Sequence, residues 1–151
     1  MAQFEDEIPS TESYWRGIIL FGMNVASYKF ALGKSLLHFA ADGKTEVSLG
    51  ELAVPYSRAI CDHLKLVDKQ GTPKSSKFLD ACRQFNTGEI DRDQLTDQTV
   101  RLGFSNVIDA FHVLNQTEVP VRFFEDARKS PTSGLILTDE VLGLSTSSQS
   151  P

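Results

Sequence analysis

The sequence has 151 residues, a formal net charge of −5, and 40% hydrophobic residues. This length suits a single domain, and ten phenylalanines give enough apolar volume for one core. The acidic balance argues against a general binder of nucleic acid, although a local basic patch would be compatible with it.

The first part of the chain, residues 1–11, is a polar leader with a negative charge from Glu5, Asp6 and Glu7. A secretory signal begins with positive charge, so this leader does not resemble one. The longest uncharged run that follows, residues 17–28, is shorter than the roughly 20 residues that a membrane-spanning helix needs. We therefore expect a soluble, cytoplasmic protein with no membrane partner.

Residues 12–42 contain no proline, and apolar side chains occupy most of the circumference of the helix that they predict. Such a pattern is typical of a buried central helix with only a narrow polar line in contact with water. The ordinary interpretation of that line is a solvated stripe, and the functional one is a partner-binding surface. The residues that we assign to this surface are Arg16, Asn24, Lys34 and His38.

Four other residues of this segment need a specific environment. Gly17, Gly22 and Gly33 each cost about 1 kcal/mol of helix stability relative to alanine, and close packing of another helix would compensate for this. Lys29 points away from the polar line. It could extend its ammonium group to water, pair with a buried carboxylate, or belong to a functional site.

The middle of the chain predicts a series of shorter helices. Ser48 and Glu51 fit a capping box at the start of the first of these, and Pro55 predicts a break within it. Ser76 and Ser105 are the predicted caps of two later helices, and Asp91 is the predicted start of the helix between them. The predicted helical segments are 56–67, 77–85, 91–102 and 106–114.

The character of the sequence changes after residue 120. Residues 121–124 and 135–137 are rich in β-formers and flank a turn, which predicts a hairpin near 121–137. A final helical turn follows Thr138, and the polar residues 145–151 predict a disordered tail. The fold class is therefore mainly α: a helical bundle around one long hydrophobic central helix, with a small C-terminal β hairpin, in a single domain over 12–144.

Residues with catalytic or metal-binding chemistry are present but dispersed. His38, His63 and His112 lie on three different predicted helices, without the spacing of a metal site. Cys61 and Cys82 stand alone in apolar surroundings, which favours buried free thiols in a cytosolic protein. We assign no catalytic residue, no metal ligand and no cofactor.

Residues 48–71 are similar to the recognition part of winged-helix repressors, because the sequence predicts two helical segments joined by a turn at Pro55. The short turn and Asp62 depart from that pattern. Residues 95–114, with a turn at Gly103, show a weaker likeness. The residues that would contact DNA in the first element are Ser57, Arg58, His63 and Lys65.

Two longer stretches, residues 12–37 and 121–144, together resemble the helical N-terminal region of bacterial HNH endonucleases. The resemblance implies a role in nucleic-acid cleavage or in defence against foreign DNA. An HNH module needs a histidine base and further His and Asn metal ligands. Nothing near His112 supplies them, so no catalytic residue is carried over. We expect either a piece of a longer HNH-type endonuclease or a stand-alone relative of its helical part.

These observations predict a non-catalytic accessory domain of a nuclease-type system, acting by self-association into a homo-oligomer or by holding a nuclease module or nucleic acid. The alternative is a small winged-helix-like regulator that binds DNA. A third possibility is an enzyme assembled from dispersed residues.

Overall fold

The computed structural model describes residues 10–20, 26–67, 76–114 and 116–149. These residues form a mainly helical fold with small antiparallel sheets, which confirms the predicted class. Among them, no helix has both the length and the apolar character needed to cross a bilayer. The elements are α1 (Thr11–Leu20), α2 (Ala26–Ala41), β1 (Glu46–Ser48), α3 (Leu49–Val67), α4 (Lys77–Asn86), α5 (Arg92–Gln98), a π-helical segment (Thr99–Gly103), α6 (Val107–Ala110), β2 (Val113–Leu114), β3 (Thr117–Glu118), β4 (Phe124–Ala127), β5 (Gly134–Leu137) and α7 (Asp139–Gln149).

The predicted continuous helix over residues 12–42 is not observed, because α1 and α2 lie against each other. A Cβ atom on Gly33 would be 2.5 Å from Ile19 Cδ1 and 3.1 Å from the Trp15 ring. In one straight helix, residues 15 and 33 would be about 27 Å apart at 1.5 Å per residue. Glycine at position 33 thus allows the two helices to approach closely, as the sequence predicted.

Gly17 is also closely packed, but against a strand rather than the predicted helix, since an added Cβ would be 2.9 Å from Leu114 Cδ2 in β2. Gly22 lies outside the described residues. α2 alone occupies the central position that was predicted for one long helix, because it contacts α1, α3, α6 and α7. Its buried side includes Leu32 and Leu36, both fully inaccessible to solvent.

The predicted C-terminal hairpin is present as β4 and β5, which pair antiparallel with Phe124 opposite Leu137. The third strand of this sheet was not predicted from the sequence. β1 follows α2 and pairs antiparallel with β5, so β5 is the central strand in the order β1-β5-β4. β1 was missed because it has only three residues and its partner is far away in the sequence.

The capping box at the start of α3 is confirmed. The Ser48 N–H donates to Glu51 Oε1 at 3.0 Å, and the Glu51 N–H donates to Ser48 Oγ at 3.1 Å. The predicted break at Pro55 is wrong, because α3 (Leu49–Val67) is one continuous helix that includes this proline. An interior proline costs about 3 kcal/mol. Burial of Leu52 and Tyr56 on either side of it offsets that cost.

The predicted cap of α4 is also confirmed, since Ser76 accepts from the Leu79 N–H. Asp91, predicted as the first residue of a helix, is instead the N-cap of α5 and accepts from the Gln94 N–H. The predicted cap at Ser105 is wrong, because α6 begins at Val107 after Asn106 and has no side-chain cap hydrogen bond.

After α5, the predicted α-helix is replaced by the π-helical segment. The buried Tyr56 hydroxyl donates to the Gly103 carbonyl at 2.9 Å, which fixes the end of this segment to α3.

The predicted helix over 106–114 is shorter in the structure. Only α6 is helical, since β2 and β3 pair as a tight hairpin with Val113 opposite Glu118. The chain then ends in α7, which is longer than the predicted single turn and continues past residue 145, where the predicted tail starts. Val141 and Leu144 are buried in the core on α7.

Gly134 sets the contact between β1 and the central strand, and we predict that Gly134→Ala is strongly destabilising. A Cβ there would overlap the Val47 carbonyl oxygen and lie 2.7 Å from the Ser48 Cα. Both neighbours are backbone atoms and cannot move aside. We expect a loss of about 3 kcal/mol in the free energy of unfolding, measured by urea denaturation.

Gly143→Ala is the matched control, since a Cβ at that position in α7 meets nothing within 4 Å. It should stabilise the protein by about 0.5–1 kcal/mol through helix propensity. Equal effects of the two alanine substitutions would contradict the assigned strand contact.

Candidate interaction groove and thiol pocket

Two flanks of α3 remain accessible after its apolar face is buried. On one flank, α2 and α3 form the walls of an open groove with a volume of about 430 Å³, which we call the interaction groove. Its α3 wall repeats at the 3- and 4-residue spacing that places side chains on one helical face. The lining residues are Ile19, Phe30, Ala31, Lys34, Ala59, Asp62, His63 and Leu66.

The interaction groove exposes large apolar side chains to solvent. Phe30 on α2 is 54% exposed and Leu66 on α3 is 65% exposed. Single exposed apolar residues are common on proteins, but two of them lining one concave surface are typical of a binding site. The groove therefore has the shape and the chemistry to receive an apolar segment.

Charged groups of both signs line the same groove. Lys34 comes from the α2 wall and Asp62 from the α3 wall. Asp62 forms an ion pair with Lys65 at 3.6 Å, and both side chains are more than half exposed. Such an exposed pair contributes little to stability, so the Asp62 carboxylate can exchange Lys65 for another cation at small cost.

The four residues predicted to bind a partner do not form one cluster. Lys34 lines the interaction groove. Arg16 is an exposed residue on α1 that pairs with Glu12 at 3.3 Å. His38 is exposed one turn after Lys34, with its ring 5.1 Å from that of the neighbouring phenylalanine. Asn24 lies outside the described residues.

The four residues predicted to bind DNA are divided between two neighbouring sites on α3, which share Asp62. Ser57 is buried, and its hydroxyl donates to the Val54 carbonyl at 3.4 Å. Arg58 and Lys65 line a pocket on one flank, whereas His63 lines the interaction groove on the other. Because α3 is one helix, the turn that a helix-turn-helix element requires is not formed.

The pocket on the other flank of α3 is small, about 50 Å³, and we call it the thiol pocket because Cys61 forms part of its wall. Cys61 and Cys82 are both buried free thiols, as predicted. The Asn86 amide donates to the Cys61 carbonyl at 3.0 Å and holds α4 against α3. The other lining residues are Val54, Ser57, Arg58, Asp62, Lys65, Phe85, Arg92, Leu95 and Thr96.

Lys29 is fully inside the protein, at 2% exposure. Its ammonium Nζ donates to the Val113 carbonyl at 2.6 Å, which joins α2 to the β2–β3 hairpin. Burial lowers the pKa of this ammonium group, because a positive charge is less stable away from water. The partner observed within the described residues is thus a backbone carbonyl.

His112 is buried among aromatic rings, with its ring stacked on that of Phe123. Its Nε2 atom accepts the Phe123 N–H at 2.9 Å, so the imidazole connects the end of α6 to the start of β4. Burial, together with the positive charges of Arg122 and Lys29, lowers the pKa of His112 to about 3. Among the described residues, no group of three or more His, Cys, Asp and Glu is placed to hold a metal ion.

We predict from His112 that the protein loses stability in mild acid. Its pKa is about 3 when folded and 6.5 as the ordinary value, so the unfolded state binds more protons between these values. Stability therefore falls as the pH decreases through this window. At pH 5 the loss from this group alone is about 2 kcal/mol relative to pH 7.

Urea unfolding of the wild type and of His112→Gln at pH 7 and pH 5 measures this contribution. The wild type should lose about 2 kcal/mol more than the variant over this interval. His38→Gln, at an exposed position, should retain the wild-type dependence. An NMR titration that placed the pKa of His112 above 6 in the folded protein would contradict the assigned burial effect.

Phe30 and Leu66 were not predicted from the sequence as candidate site residues. The sequence does contain an indication of both residues, because each is apolar yet lies on the exposed side of its helix. Phe30 is at the edge of the line that contains Lys34 and His38, and Leu66 follows the exposed Lys65. This signal becomes interpretable only when the neighbouring helix is known.

No protein-family model matches the chain, and comparisons with curated proteins and with solved structures found no significant match. The resemblance to the helical region of HNH endonucleases therefore stays a prediction.

Proposed function

We propose that this protein is an interaction domain that acts by binding rather than by catalysis, and that the interaction groove is its binding surface. The observation that carries this proposal is the pairing of two exposed apolar side chains, Phe30 and Leu66, on one groove of about 430 Å³. Burying such side chains in an interface contributes roughly 1.5–3 kcal/mol each, before the costs of association.

The occupant that we propose is the same surface of a second copy of this chain. A two-fold axis places identical patches face to face, so each patch must complement itself. The interaction groove meets this condition, because Lys34 on one wall and Asp62 on the other supply both halves of an ion pair. In the proposed dimer, each copy's Lys34 pairs with Asp62 of the other copy around an apolar centre.

The proposed biological setting is a nuclease-type system, in which the dimer holds a nuclease module or nucleic acid. Support for this setting comes from the sequence resemblance of residues 12–37 and 121–144 alone. The proposed dimer does not depend on this resemblance, since it rests on the exposed apolar side chains and the charged side chains of the interaction groove.

Removing the apolar contacts should weaken self-association. We predict that Phe30→Asp and Leu66→Asp each raise the dimer dissociation constant at least tenfold, about 1.4 kcal/mol, because each places a charge in the apolar centre. Sedimentation velocity over a concentration series measures this constant. Val54→Asp is the matched control, since Val54 is 40% exposed on the same helix but lines the thiol pocket.

A wild-type protein that remained monomeric at about 1 mM would contradict the dimer, because even −4 kcal/mol of association is detectable there. An equal effect of Val54→Asp would place the interface elsewhere.

Charge reversal tests the proposed geometry of the dimer. Lys34→Glu and Asp62→Lys should each weaken the dimer, since each brings like charges together. The double variant restores opposite charges and should recover most of the lost affinity. Close charge pairs at interfaces show coupling energies of about 1.5 kcal/mol or more in such cycles. Additive losses in the double variant would show that the two side chains do not meet.

A further inference from the structure

The thiol pocket contains chemistry that the proposed dimer does not use. Cys61 on α3 and Cys82 on α4 face each other across the contact between these helices. The Cys61 thiol donates to the Cys82 carbonyl at 3.8 Å. Their side chains also share a hydrogen bond, which lowers the pKa of the Cys61 thiol and raises that of Cys82. Burial raises the pKa of Cys82 further.

The two thiols differ in their access to small molecules. Cys82 is completely buried, at 0% exposure. Cys61 is 2% exposed, but it lines the thiol pocket, whose exposed rim residues are Arg58, Asp62, Lys65 and Arg92. A volume of about 50 Å³ accommodates a few water molecules or one molecule of hydrogen peroxide. The hydrogen bond with Cys82 is the largest influence on the pKa of Cys61 and favours its thiolate form. Burial and the negative charge of Asp62 raise this pKa, whereas the positive charge of Lys65 lowers it.

Asn86 adds an unsatisfied hydrogen-bond acceptor to the same pocket. Its amide nitrogen is occupied by the Cys61 carbonyl, whereas its buried Oδ1 atom finds no donor in the described part of the chain. A buried acceptor without a donor costs about 1–3 kcal/mol, so a small molecule with an O–H group would be stabilised there. Hydrogen peroxide has two such groups.

We propose that Cys61 is an oxidation site for hydrogen peroxide, and that Cys82 then closes a reversible disulfide with it. In the first step the Cys61 thiolate attacks one peroxide oxygen. The O–O bond breaks, the sulfur becomes a sulfenic acid, and the leaving hydroxide takes a proton to become water. In the second step the Cys82 sulfur attacks the Cys61 sulfur. The S–O bond breaks, and water leaves with the proton of Cys82.

Over both steps, two thiols and one peroxide become one disulfide and two waters. The two sulfurs must move from hydrogen-bond contact to a bond of about 2.05 Å, so oxidation draws α4 towards α3. This movement acts on the pocket wall, because Cys61 and Asn86 both belong to it. A thiol reductant reverses the change.

The test is peptide mapping of the native, reduced full-length protein after treatment with hydrogen peroxide. Trypsin releases Cys61 in the peptide 59–65 and Cys82 in the peptide 78–83. We expect these two peptides to become joined by a disulfide and to separate again after reduction. In Cys82→Ser the sulfenic acid cannot be resolved, so dimedone should label Cys61.

Cys61→Ser is the matched control, and its Cys82 should take up dimedone roughly tenfold more slowly than Cys61 does in Cys82→Ser. The peptide mapping of the wild-type protein gives a result even if neither variant folds. The proposal is overturned if native thiols stay unmodified in excess peroxide while the urea-unfolded protein oxidises. It is equally overturned if only intermolecular disulfides form, or if Cys82 is the faster thiol.

Discussion

The burial of α2 between α3 and α7 is the contact on which the rest of this structure depends. Leu32 and Leu36 on α2 have no contact with solvent, and the two helices that pack most closely against α2, α3 and α7, lie far apart in the sequence. Lys29 adds a polar connection to this packing, since its ammonium group binds the Val113 carbonyl. A buried ammonium without such a partner would cost several kcal/mol of stability. The position of the β2–β3 hairpin and the position of α2 therefore depend on each other.

The small sheet completes this arrangement through the strands that adjoin α2 and α7. β1 starts a few residues after α2, and β5 ends directly before α7. Their pairing brings the two helices together, and it depends on Gly134, where a side chain would meet the backbone of Val47. The positions of the interaction groove and the thiol pocket follow from this, because both lie on the flanks of α3 that the core leaves uncovered.

Local features of the fold could be predicted from the sequence, and features that depend on distant contacts could not. The caps at Ser48 and Ser76 were predicted correctly because a cap is decided within four residues. The continuity of α3 through Pro55 was not predicted, because the burial that offsets the proline involves other helices. The folding of α1 onto α2 likewise depends on the contact of Trp15 with Gly33.

The candidate site shows the same limit. Lys34 was named as a partner-binding residue and does line the groove, but Arg16 and His38 lie elsewhere. Helical periodicity showed which residues share a face of one helix. It did not show that Phe30 on α2 and Leu66 on α3 would flank the same cavity, since this depends on how two helices pack.

The pairing of β1 with β5 also has a consequence for biosynthesis. The ribosome adds residues in order, at about 5–20 per second, so Glu46–Ser48 emerges well before Gly134–Leu137. Until then α2 has no α7 to cover it, and the nascent chain exposes apolar surface that chaperones recognise. Folding of this domain therefore cannot be completed before β5 and α7 have been synthesised, and a ribosome that stalls before residue 134 would leave an aggregation-prone intermediate.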